Sequence, residues 1–344
     1  MLQEIKEQIN AIKKSEKKSL PIGGDTFTFE MAIDGADKSL FMDKTPLMNS
    51  FGGKFGEVEV EKGKIITCVS LPKYVRDDNI IPFSITDVIL LEVLRNDVEQ
   101  TLKKALHEIV DDSTDVMCSK AKTIECNITM QVVGKSTCSQ VLNLINRCFH
   151  EGTNVVYQRA SPKCKYDKEN ETVIIRKRNY YALKCYNKSL QQRREGNCYV
   201  KEGLLRIEII MQERTIEKLF CKKSTIQDVL TAHGLMKIIE EYKRIFNCEI
   251  IREHIEPGLS EVKEILFISL IETNSQKETV ALKKELIMDE EIFRKALINW
   301  YEYGGQSKES AKRNAATYIC RNKEKYGFPE NVIDTMRKFG KLCK

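Results

Sequence analysis

What most constrains the fold is the spacing of the β-type runs. Residues 27–31, 56–70, 122–133, 171–176, 180–186 and 204–211 are rich in β-branched and aromatic side chains. The connections among them are too short for the crossovers that parallel neighbours need, so antiparallel pairing is expected. Gly-Gly pairs at 23–24 and 52–53 read as breaks that favour hairpin turns. Helical periods lie between the runs. Ser84-x-x-Asp87 opens one, with Val88, Leu91, Leu94, Val98, Leu102, Ala105 and Ile109 on one face. Thr137-x-x-Gln140 opens another, ahead of Val141, Leu142, Ile145, Cys148 and Phe149. The expected class is α+β, a mostly antiparallel sheet with packed helices.

Residues 1–19 place Leu2, Ile5, Ile9 and Ile12 at helical spacing, so residues 1–25 read as a short helix and linker before a core at 26–222. From Ser224-x-x-Gln227, a capping-box pattern, the chain turns helical through Val229, Leu230, Leu235, Ile238, Ile239, Tyr242 and Ile245. A strand-like run at 265–271 interrupts it. Residues 289–344 read as two or three helices carrying Lys312, Arg313, Arg321, Lys323 and Lys325. A boundary near 222 is expected, followed by a smaller, mainly helical C-terminal domain at 223–344.

At 344 residues the chain is long enough for two cores, and its 12 cysteines are scattered with no C-x-x-C pair, which points to reduced thiols and no zinc site. No run approaches about 20 apolar residues and the first 19 lack a signal-like apolar stretch, so a cytoplasmic protein with no membrane partner is expected. The four histidines, His107, His150, His233 and His254, are never two or four residues apart. G-x-S-x-G, Walker, G-x-G-x-x-G and H-E-x-x-H patterns are all missing. A Ser/His triad, a histidine metal site and a phosphate-cradling glycine loop therefore lack support.

The chemistry-bearing stretch is 171–194. Arg176, Lys177, Arg178, Lys184, Lys188, Arg193 and Arg194 face one acid there and are interleaved with Tyr180, Tyr181 and Tyr186. Such a surface holds a nucleic-acid backbone and stacks bases; a solvated hairpin with half-buried tyrosines has the same composition. Alternation puts Tyr180, Ala182, Lys184 and Tyr186 on one face and Tyr181, Leu183 and Cys185 on the other. A phenol, with a pKa of about 10, becomes a nucleophile where cations or a metal stabilise the phenolate. Glu125 and Glu208 sit inside otherwise apolar strands. Each is either on a solvent face or a ligand for a divalent cation, and Arg206, on the same face as Glu208, is a candidate ion-pair partner.

Three segments taken in order resemble the gene II/X family of rolling-circle replication initiators of filamentous phages and related plasmids. They are Lys122-Thr123-Ile124-Glu125-Cys126-Asn127-Ile128 with the helix through Val141–Ile145, Glu171-Thr172-Val173 with Tyr181–Lys188, and Gly203-Leu204-Leu205-Arg206-Ile207-Glu208. The likeness covers about residues 60–222, with catalytic motifs at 120–212. It implies a DNA-nicking and strand-joining enzyme with Tyr186 as nucleophile, Lys188 as a phosphate-facing cation, and Glu125, Glu208 and, as a third, Glu171 on Mg²⁺ or Mn²⁺. Arg176, Lys177, Arg178, Lys184 and Arg206 are the expected DNA contacts. The implied partners are origin DNA, single- or double-stranded, and a host helicase or polymerase. Glu125 stands where family members often carry Asp, and the His-hydrophobic-His motif of other nicking enzymes is missing, which favours carboxylate and water ligands over histidine. The competing reading is a non-catalytic origin-binding regulator or repressor. An RNA-binding sheet lacks its ribonucleoprotein patterns here.

Overall fold

The computed structural model describes residues 22–33, 41–76, 79–111, 113–132, 138–151, 163–167, 169–197, 200–221, 223–287 and 289–327. Nine strands are β1 (Gly23–Ala32), β2 (Met42–Met48), β3 (Lys54–Glu61), β4 (Lys64–Ser70), β5 (Lys120–Gln131), β6 (Lys163–Asp167), β7 (Thr172–Lys177), β8 (Tyr181–Asn187) and β9 (Leu204–Met211). Their order in the sheet is β2-β3-β4-β1-β5-β9-β8-β7-β6. The pairs β2/β3, β3/β4, β4/β1 and β1/β5 are antiparallel. The helices are α1 (Leu71–Val75), α2 (Leu91–Leu106), α3 (Cys138–Glu151), α4 (Lys188–Arg194), α5 (Glu213–Leu219), α6 (Ile226–Val229), α7 (Ala232–Arg244), α8 (Glu256–Thr273), α9 (Gln276–Leu282), α10 (Glu290–Tyr303) and α11 (Lys308–Tyr326), with a π-helical segment at Ile245–Ile255. The α+β class and the helical C-terminal region agree with the sequence pattern. None of the described helices is long and apolar enough to cross a membrane.

Contacts group the chain into two compact units. One comprises residues up to Met130, Arg176–Lys184 and Arg206–Lys243; the other comprises Gln131–Ile175, Cys185–Leu205 and residues from Arg244 onward. This division interleaves along the chain. The helix expected at 1–19 lies outside the described residues.

In the first unit, Gly52 behaves as expected, at φ +80° in the turn between β2 and β3. Gly23 and Gly24 do not break the chain. They sit within β1 opposite Asn127 and Cys126, and Gly24 also exchanges two backbone hydrogen bonds with Phe83. A Cβ on Gly23 would stand 2.1 Å from the Phe83 carbonyl oxygen, so a close backbone approach requires the glycine. Asp87 accepts from the Ser84 N–H at 2.8 Å, as the S-x-x-D pattern anticipates, and is also bridged by buried Arg76. The chain then passes through a 3₁₀ turn into α2, whose buried seam is Leu91, Leu94, Val98, Leu102 and Leu106. At 224–228 the capping box is made by Thr225 and Asp228, one residue beyond the expected Ser224 and Gln227.

In the second unit, the strand-like run at 265–271 is part of α8. Its buried positions, Gly258, Val262, Leu266, Ser269 and Leu270, repeat every three to four residues. Helical packing of that seam outweighs the β preference of Ile265, Phe267 and Ile268. Helices α10 and α11 are the first two of those expected from 289 onward; residues 328–344 lie outside the description.

Candidate metal centre

A β-bulge sets the site. In the β1/β5 register Gly24 pairs with Cys126 and Phe27 with Ile124, so Asp25 and Thr26 together oppose Glu125. Strict alternation would put Asp25 on the face of Phe27 and Phe29, which are 1% and 0% exposed. The extra residue re-aims it. Neighbouring β9 contributes Glu208, and one oxygen from each of Asp25, Glu125 and Glu208 lies within 4.8 Å of the others. Next to β9, β8 brings the Lys184 Nζ to 4.0 Å from Glu208. Four adjacent strands thus each supply a charged group.

Asp25 is buried and firmly held. Its Oδ2 accepts from Arg206 at 2.8 Å and from Asn127 Nδ2 at 2.7 Å, while the Thr26 hydroxyl donates to Oδ1 at 3.3 Å. Arg206 also donates to Thr129 Oγ1 at 2.8 Å, to the Ile80 carbonyl at 2.7 Å and to the Asn79 carbonyl. Its side chain is 0% exposed. It is therefore an internal ion-pair partner of Asp25, buried where a DNA-contacting cation would have to be exposed. The Asn127 Oδ1 is buried with no hydrogen-bond partner among the described residues.

Burial, then the charges of Glu208 and Asp25, push the Glu125 carboxyl up from 4.5 to about 8, against the opposing pull of Lys184 and the Thr26 hydroxyl. A cation among these oxygens relieves both the repulsion and the burial cost of the charged form. The donor set is three carboxylates, with no histidine or thiol in the group, an arrangement that could hold a metal ion.

The raised carboxyl has a consequence for stability. The folded form binds its proton more tightly than the unfolded form, so metal-free protein loses stability as pH rises from 4.5 to about 8 and levels off above that. Glu125→Gln is expected to flatten this slope and raise the Tm at about pH 8. Thermal melts in chelator between about pH 5 and 9 check it, and an unchanged slope counts against the raised carboxyl.

Glu171 belongs to the second unit, where its Oε2 accepts from Asn187 Nδ2 at 2.7 Å; the third carboxylate of the group is Asp25. Tyr186 is 4% exposed. Lys188, expected to face a phosphate, is fully buried at the start of α4 and donates to Gln191 Oε1 at 3.0 Å, with its Nζ 6.0 Å from the Tyr186 ring centre. The basic hairpin is as expected: the Tyr180 N–H closes a turn on the Lys177 carbonyl, with Asn179 left-handed at φ +63°. Arg176 and Arg178 are exposed. Tyr180 lies in the turn before β8, 42% exposed, with the Lys177 Nζ at 5.8 Å and the Arg214 guanidinium at 5.5 Å from its ring centre.

Compared with known proteins, the chain matches no protein-family model, and a search of the curated proteins returns no relative.

Proposed function

We propose that this chain is a divalent-metal-dependent enzyme that nicks and rejoins one DNA strand through a tyrosyl-DNA intermediate, the reaction that starts rolling-circle replication. The observation that carries the reading is the group Asp25, Glu125 and Glu208 on three neighbouring strands. A bound Mg²⁺ or Mn²⁺ would polarise the scissile phosphate and stabilise the charge that builds on it. Asp25, pinned by Arg206 and Asn127, would hold its position when the other carboxylates adjust. Lys184 beside Glu208 would face the phosphate. The exposed cations Arg176 and Arg178, with exposed Tyr180 near Lys177 and Arg214, suit a phosphate backbone and a stacked base.

The proposed nucleophile is the phenol of Tyr186. Its oxygen would attack phosphorus while the bond to the 3′-oxygen breaks, the phenol losing its proton and the leaving oxygen gaining one. The products are a free 3′-hydroxyl and a 5′-phosphotyrosyl link, and the reverse exchange reseals the strand. Because Tyr186 is 4% exposed, DNA binding must uncover it. The same burial favours a second reading, a non-catalytic origin-binding regulator.

One experiment separates the two. Wild-type protein incubated with supercoiled DNA carrying the cognate origin and Mg²⁺ or Mn²⁺ is expected to give open circles with protein attached. Tyr186→Phe removes the attacking atom at little packing cost, so it should fold, bind origin DNA and form no adduct. Adduct formation by Tyr186→Phe refutes the assignment and makes exposed Tyr180 the next residue to vary. Binding without nicking by the wild type supports the regulator.

A further inference from the structure

The second unit contains a cavity of about 390 Å³ whose lining includes Gln131 at the end of β5, Glu171 ahead of β7, Asn187 at the end of β8, and Arg193 and Glu202. Gln131 donates its Nε2 to the Glu202 carbonyl oxygen, which fixes the amide, since the flipped form would set two carbonyl oxygens against each other. The Oε1 so oriented is buried without a partner among the described residues. Asn187 Nδ2 donates to Glu171 Oε2, and among the described residues the carboxylate takes no other hydrogen bond and no ion pair; Glu171 is one of the lining residues.

Glu171 also has a left-handed backbone, φ +43°, a conformation in which glutamate is uncommon. The Asn187 N–H holds it there by donating to the Glu171 carbonyl at 3.1 Å. Arg193 and Glu202 pair at 2.7 Å, and Glu202 is 84% exposed, so this pair marks the open side. The wall also includes the buried thiol of Cys138, pushed up to about 12 by burial and by the Glu171 charge and therefore neutral.

A carboxylate and an amide oxygen in one cavity wall suit a ring that presents several adjacent N–H donors. At about 390 Å³ it is far larger than a bare cation needs and lies near the small end of organic-ligand pockets, roughly 300–1,000 Å³. Among nucleobases, guanine alone sets an N1–H beside an N2 amino group, two donors that one carboxylate accepts together, and it keeps a second N2 hydrogen for an amide oxygen. Adenine and cytosine place a ring-nitrogen acceptor next to their amino group, which a carboxylate repels. Guanine also carries O6 and N7, the acceptors that arginine recognises. We infer that this cavity binds a guanine base through Glu171 and Gln131, with Arg193 at the mouth for O6 or a phosphate. The base comes either from an unstacked single strand or from a free guanine nucleotide. The site uses neither the acidic group of the first unit nor Tyr186.

The test uses the full chain in chelator, which makes it independent of any metal chemistry. One arm compares dGMP with dIMP, which lacks the 2-amino group, and with dAMP; the other compares oligothymidylates carrying a single central dG, dI or dA. Guanine is expected to bind at least about tenfold tighter than inosine or adenine in one arm or both, the discrimination a two-point contact supplies. Preference in the nucleotide arm assigns the site to a free nucleotide, and preference confined to the oligonucleotides assigns it to a strand. Glu171→Gln, which can still accept from Asn187, should abolish the preference, and Gln131→Leu should weaken guanine toward inosine. Equal binding of all three bases by the wild type in both arms overturns the inference, as does full guanine preference in a folded Glu171→Gln protein.

Discussion

Glu208→Gln is expected to abolish metal-dependent DNA cleavage while leaving the fold intact. The change keeps shape and removes one of the three carboxylate charges that lie within 4.8 Å of each other. Loss of a mere supporting hydrogen bond around a metal ligand costs about 10–100-fold, so loss of a ligand charge should cost at least about a hundredfold. The fold should tolerate it, because Glu208 is among the causes that push the Glu125 carboxyl up, and neutralising it relieves that repulsion. Open-circle formation against time, with circular dichroism as the control for folding, checks both halves. Undiminished nicking by Glu208→Gln removes the carboxylate group from the reaction.

The largest loss of stability is expected from Arg206→Leu. The guanidinium is fully buried and donates to Asp25, Thr129 and the Asn79 and Ile80 carbonyls. Breaking a buried ion pair by removing one partner costs about 3–5 kcal/mol, because it leaves an uncompensated charge. That is a large share of a total stability of about 5–15 kcal/mol. Urea denaturation in chelator measures it. The double variant Arg206→Leu with Asp25→Asn should recover much of the loss, since the stranded charge is then gone. A single variant that costs less than about 1 kcal/mol contradicts the view that Arg206 anchors Asp25.

Glu125 and Glu208 were legible in the sequence because a carboxylate in an apolar strand is a local anomaly, and both lie in the group. Asp25 was not, for a reason of register. Its partner strand is about a hundred residues away, and the bulge that turns it from the face of Phe27 and Phe29 to that of Glu125 leaves no mark on alternation. The preceding Gly23-Gly24 carried a signal, but one that reads equally as a turn or as a close approach to another backbone, here that of Phe83. Arg206 shows a second limit: period-two alternation separates the faces of β9 but does not say which face another element covers. Lys188 is the same case at the start of α4. The apolar run at 204–211 coincides with β9, whereas the run at 265–271 lies within α8, because a short apolar run fits strand and buried helix alike.

The most direct test of the central claim, that Asp25, Glu125 and Glu208 bind a divalent cation, is a Mn²⁺ titration of the full chain followed by the paramagnetic resonance signal of the free ion, on wild-type protein and on Glu208→Gln. One site is expected in the wild type, its filling near neutral pH accompanied by proton release from Glu125, whose carboxyl stands at about 8 before the cation enters. Glu208→Gln should take up Mn²⁺ far more weakly. Equal uptake by the two proteins, or none by the wild type, contradicts the account.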